Sequence, residues 1–100
     1  MTETIDDIIR LHGSDNIGVS RRNLSVDEMI TINGQAVRVA ENIPVGHKVA
    51  LADISDGDKI LKYGAPIGSA TAVIETGRHV HLHNMKSDYI ASYTREGISQ

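Results

Sequence analysis

Short apolar runs, each closed by a cluster of turn formers, recur along the chain. Ile8-Ile9-Arg10-Leu11-His12 ends at Gly13-Ser14-Asp15-Asn16, and Ile17 to Ser20 follows as a second run. Runs of this length between Gly, Ser, Asp and Asn clusters read as strands. Met29 to Ile32 leads into Asn33-Gly34, a pair that tolerates the positive φ of a type I′ turn. Gln35 to Glu41 returns from it, with Ala36, Arg38 and Ala40 on one face and Val37 and Val39 on the other, so this segment predicts a β-hairpin. Asn42-Ile43-Pro44 breaks the ladder, because Pro44 has no N–H to donate. Further strands are expected over 46–51, 59–62, 67–75 and 79–83, with turns at 53–57, 63–66 and 76–77. The one candidate helix is Ser25-Val-Asp-Glu28, where Ser25 and Glu28 have capping-box spacing. No internal repeat or linker is visible. The pattern predicts a mainly β fold of about seven short strands, with at most one short helix, arranged as a sandwich, barrel or clip.

Composition sharpens this expectation. Ile and Val, at 13 and 8, outnumber the 5 Leu, and β-branched side chains suit a pleated sheet better than a helix. A length of 100 residues leaves room for one domain. It is expected over 1–88, with a polar C-terminal tail over 89–100 that either frays or docks on something else. A net charge of −3 and three aromatic residues, all Tyr, argue against a nucleic-acid partner, because neither a basic surface nor a stacking platform is available. No run approaches the ~20 apolar residues that span a bilayer, and the acidic start lacks the features of a secretory signal, so a cytoplasmic protein is expected. The absence of cysteine excludes disulfides, thiolate metal sites and a thiol nucleophile. Any metal must be held by His, Asp, Glu or backbone groups.

Candidate chemistry is concentrated in the histidines. Three of the five stand at alternate positions in His79-Val80-His81-Leu82-His83. On a continuous strand they would share one face with neighbours about 6.8 Å apart, and two of them could converge on one metal if a third ligand came from elsewhere. A solvated polar strand face is the competing reading. His47-Lys48 follows Pro44-Val45-Gly46, and Lys48 is either a fixed cation for a carboxylate or a surface lysine. Tyr63 offers a phenol beside the permissive Gly64. Asp53, Asp56 and Asp58 miss the calcium-loop spacing, and no phosphate loop or serine nucleophile elbow occurs.

Taken together, 42–54 (Asn-Ile-Pro-Val-Gly-His-Lys-Val-Ala-Leu-Ala-Asp-Ile), Gly57-Asp58, 62–68 (Lys-Tyr-Gly-Ala-Pro-Ile-Gly) and 77–84 (Gly-Arg-His-Val-His-Leu-His-Asn) resemble the SAF domain of the altronate and galactarate dehydratases. Ile9-Arg-Leu-His12 and Asp15-Asn-Ile-Gly-Val19 also fit, so the resemblance covers roughly residues 8–86. It implies a single small SAF-type β-clip domain. It also implies the small subunit of an altronate or galactarate dehydratase-like hydro-lyase, which removes water from a sugar acid together with a separate large subunit. A small subunit of a sulfolactate sulfo-lyase-like enzyme and a non-catalytic SAF module for ligand binding or assembly are the alternatives. Under the resemblance, His81, His47 and Lys48 are expected to be catalytic, and Lys48, Tyr63 and Asn84 to bind substrate. His81 and His83 are expected to bind a divalent metal ion, with iron a candidate, shared with or held by the large subunit. His79 is left as a surface residue. The isolated chain could also self-associate.

Overall fold

The computed structural model describes residues 3–5, as a strand backbone, and residues 7–88. The tail expected over 89–100 lies outside the described residues. Among the described residues ten short strands follow one another: β1 Glu3–Ile5, β2 Ile8–Arg10, β3 Ile17–Ser20, β4 Met29–Ile32, β5 Gln35–Arg38, β6 Lys48–Ala50, β7 Lys59–Lys62, β8 Ala65–Ala70, β9 His79–Val80 and β10 Met85–Lys86. They form a five-stranded antiparallel sheet of order β1-β2-β3-β6-β9, the hairpin β4-β5, and a three-stranded sheet of order β10-β8-β7. The mainly β expectation holds, and no helix occurs among the described residues.

The central sheet separates two cores. Val49 is buried with Ile30, Ile32 and Val39 of the first hairpin region, while its neighbour Ala50 is buried with Ile60, Ala70 and Val80 of the second. Successive strand residues point to opposite faces. One hairpin therefore covers each face of β6. Most of the core side chains are Ile and Val, the stiff residues whose abundance pointed to sheet.

The two halves repeat, although no repeat is legible in the residue order. Ser25 N donates to the Glu28 carboxylate at 2.7 Å, and Ser55 N donates to the Asp58 carboxylate at 3.0 Å. Leu24 bridges Ile43 as Ile54 bridges Ile74. Positive φ recurs in register at Asp27 and Gly57, Asn33 and Tyr63, Gly34 and Gly64, and Gly46 and Gly77. The second half carries one extra residue, Ile67, at the bulge that shifts the β7–β8 register between Ile60 and Leu61. The two halves share backbone geometry and apolar positions but differ in their polar turn residues, so the repeat shows in hydrogen bonds and not in residue identity.

Three local expectations are corrected. Residues 25–28 form a turn, closed by Glu28 N to Ser25 O at 3.1 Å, so only the Glu28 half of the capping pattern is used. The strand expected over 67–75 runs over Ala65–Ala70 instead, because Tyr63-Gly64 is a two-residue hairpin turn of the same kind as Asn33-Gly34. The strand expected over 79–83 stops at Val80, and the chain turns through 82–84 before β10.

Candidate metal and substrate site

His47 leaves the turn Pro44–His47, which closes by His47 N to Pro44 O at 3.1 Å and is fixed to β3 by Gly46 N to Ser20 O at 2.9 Å. β9 runs antiparallel to β6 with His79 opposite Val49. Alternation then brings His47, His79 and His81 to one face, where their ring centroids lie 5.0 to 5.3 Å apart. His47 Nδ1 and His79 Nε2 share a hydrogen bond of 2.9 Å, so one ring donates and the other accepts. The coordinating atoms of the three residues lie within 4.8 Å of one another.

His83 reaches the same place by a different route. Because the chain turns after Val80, His83 folds back, and its ring lies 5.5 Å from that of His79. Glu41, His79 and His83 form a second set of ligand atoms within 4.8 Å, which shares His79 with the first. Glu41 is held there by Arg78 Nε, which donates to Oε2 at 2.9 Å, and by His79 N at 3.3 Å. Burial is the main influence pushing the His79 imidazole below its ordinary value of 6.5, with the charge of His47 next; Glu41 works against this, and His81 and His83 add to it.

The sequence-derived candidates therefore separate. His47, His81 and His83 come together, and His79, expected at the surface, is half-buried and lies between them. Asn84 is buried with its amide engaged: Oδ1 accepts from His81 N at 2.9 Å and Nδ2 donates to His79 O at 2.8 Å. It shapes the histidine loop. Lys48 lies opposite Val80 on the other face of β6, where burial and then the charge of Lys62 lower its ammonium below the ordinary lysine value. Tyr63 sits on the β7–β8 turn, with Lys62 Nζ 5.7 Å from its ring centroid. No hydrogen bond or ring contact among the described residues links Lys48 or Tyr63 to the histidines. Glu41 and Arg78 were missed. Glu41 lies 38 residues from His79, and no short motif joins positions that far apart.

Three imidazoles, with a carboxylate and a fourth imidazole alongside, form a donor set suited to a first-row divalent metal. Imidazole is also the side chain most often used for proton transfer in catalysis.

Comparison with known proteins gives these residues a context. The family model for the altronate/galactarate dehydratase SAF domain matches residues 6–88. Altronate dehydratase of Bacillus subtilis (strain 168) is 39% identical over 80 residues, which are 80% of this chain and 16% of that protein. Galactarate dehydratase (L-threo-forming) of Escherichia coli (strain K12) is 35% identical over 69 residues, 69% of this chain and 13% of the relative. The (2R)-sulfolactate sulfo-lyase subunit alpha of Paracoccus pantotrophus is 48% identical over 46 residues, 46% of this chain and 69% of the relative. The chain thus spans about one sixth of the altronate dehydratase it matches. Fold, matched span and residue pattern agree: the chain belongs to the altronate/galactarate dehydratase SAF-domain family.

Proposed function

We propose that the chain is the small component of a hydro-lyase that removes water from a sugar acid, working with a larger chain that supplies the rest of the active site. The observation that carries this reading is the meeting of His47, His79 and His81 beside His83 and Glu41. Loss of water from such an acid breaks the C–H bond next to the carboxylate and the C–O bond of the neighbouring hydroxyl. A C=C bond forms, and the proton and hydroxide leave as water. The residues present fit a divalent metal such as iron, with His47, His79 and His81 as the set that would hold it. Bound there, the metal supplies Lewis-acid polarisation of the substrate's oxygens. His79, kept neutral by its surroundings, fits either a ligand or a proton acceptor, and Asn84 holds the backbone on both sides of Val80. Lys48 faces away from this group and is left out of it.

A larger partner is favoured because one relative is named as a subunit and the dehydratases extend far beyond the matched region. The test is to purify the tagged chain from its own cells with its bound partner and to assay altronate for loss of water. Wild-type complex is expected to turn altronate over, and a His81→Ala complex of equal stoichiometry to lose at least about a hundredfold of that rate, the scale of an acid–base or metal-binding group. Full activity in His81→Ala would contradict the assignment. The similarity to the sulfolactate subunit favours one second reading, in which sulfite leaves in place of water. Sulfite release from sulfolactate by the same complex, with altronate untouched, would select it.

A further inference from the structure

Asn33-Gly34, the turn between β4 and β5, takes no part in the histidine site and carries a chemistry of its own. Both residues hold positive φ, 52° at Asn33 and 81° at Gly34. The Asn33 side chain ties this turn to the central sheet: Oδ1 accepts from Arg10 Nη2 at 2.8 Å, and Nδ2 donates to Leu51 O at 3.2 Å. One end of the amide thus faces β2 and the other faces the residue that follows β6. Arg10 offers N–H groups and Leu51 a carbonyl oxygen, so only a group with an acceptor and a donor on the same carbon serves both.

Asparagine is among the thermolabile residues, and a following glycine opens a specific route. The Gly34 nitrogen gives up its proton and attacks Asn33 Cγ. An N–C bond closes a five-membered succinimide, the Cγ–Nδ2 bond breaks, and Nδ2 takes up a proton and leaves as ammonia. Water then opens the ring at either carbonyl, giving aspartate or isoaspartate. No oxidant, reductant or cofactor enters, and Asn33 is exposed to the water that the second step consumes. Gly34 has no side chain to shield its nitrogen, and a Cβ built there would meet nothing within 4 Å. The other four asparagines, Asn16, Asn23, Asn42 and Asn84, each precede a bulky apolar residue.

Ring closure requires the amide carbon to lie against the following backbone nitrogen. In the folded chain that carbon is held between Arg10 and Leu51, 23 and 18 residues away, and the amide must release both to swing onto Gly34. The reaction therefore waits on local opening of the hairpin. Its product does not restore the clasp. A carboxylate strengthens the bond to Arg10, but it puts a second oxygen where Nδ2 faced Leu51 O, and two acceptors with no proton between them repel. Isoaspartate adds a backbone atom to a turn whose register pairs Ile32 with Gln35. Val37 of β5 lies against Gly77, so a loosened first hairpin also reaches the turn that leads into β9.

We propose that Asn33 is a deamidation site gated by the first hairpin, closed while its amide is clasped between Arg10 and Leu51 and reactive when the hairpin lifts away. The test follows Asn33 in the full chain by peptide mass spectrometry at neutral pH, folded in buffer and unfolded in guanidinium chloride. Asn33 is expected to convert at least about tenfold more slowly in the folded chain, because only the opened fraction reacts, and ahead of the other four asparagines in the unfolded one. Arg10→Met, which keeps the length of the side chain but removes its donors, is expected to speed conversion in the folded chain. Asn33→Asp, with the product in place from the start, is expected to shift the ¹⁵N backbone signal of Ala52, whose N–H shares a peptide group with Leu51 O, and to leave the β7–β8 signals unmoved.

Equal rates in the folded and unfolded chain, survival of Asn33 in the unfolded chain, a folded Arg10→Met chain that converts no faster than wild type, or an unmoved Ala52 signal in Asn33→Asp would each overturn the proposal. If Arg10→Met does not fold, the two wild-type rates and the Ala52 signal decide it.

Discussion

At His79 the imidazole of His47, the stacked ring of His81, the ring of His83 and the carboxylate of Glu41 meet within a few ångströms. Burial first and neighbouring imidazoles second disfavour a proton there, despite Glu41. In the unfolded chain the ring returns to its ordinary value of 6.5, so between the lowered folded value and 6.5 the unfolded state binds more protons. The contribution of His79 to stability is complete above pH 6.5 and is lost as the pH falls through the folded value. Urea midpoints measured at pH 7.5 and 5.5 are expected to fall with pH in the wild type and to fall less in His79→Gln. Equal falls would place the titration elsewhere. The sequence showed that histidines at alternate positions share a face, but not that His79 would be the ring both ligand sets use. That depends on β9 pairing with β6, and pairing partners far apart in the chain carry no local signal.

Among the elements, the second hairpin shows how a turn can be hidden. Asn33-Gly34 was legible because both residues accept positive φ, whereas Tyr63 at φ 57° does so against its preference. The compensation comes from Asp15, a buried carboxylate whose two oxygens accept from Tyr63 N at 2.9 Å and Gly64 N at 2.8 Å. A side chain 48 residues away thus stabilises a turn that the local sequence does not announce. Asp15→Ala is expected to lower unfolding free energy by about 1–3 kcal/mol, since two charge-assisted hydrogen bonds are lost where the backbone is already strained. Chemical denaturation checks this, and a loss below a few tenths of a kcal/mol would show that the Tyr63-Gly64 turn holds itself. The short strands were legible from apolar runs and turn formers. Strand ends were less so, because the bulge at Ile67 and the turn after Val80 answer to packing across the sheet.

In the whole molecule, the structural repeat puts one hairpin on each face of a shared central sheet, and the two copies of one turn end in different side chains. His47 ends one copy and Arg78 the other, and β9 with the loop after it brings His79, His81 and His83 beside His47. The proposed role of the histidine cluster turns on whether it binds a divalent metal, and His12 provides an internal control. That histidine lies against Gly64 and bonds Ser14, without ring contact to the other four. The most direct measurement is the imidazole proton NMR spectrum of the full chain during substoichiometric addition of Mn²⁺, a paramagnetic stand-in for ferrous iron. His47, His79 and His81 should broaden first and together while His12 stays sharp. Broadening of His12 alongside them, or no preference among the five rings, would show that these histidines do not form a metal site.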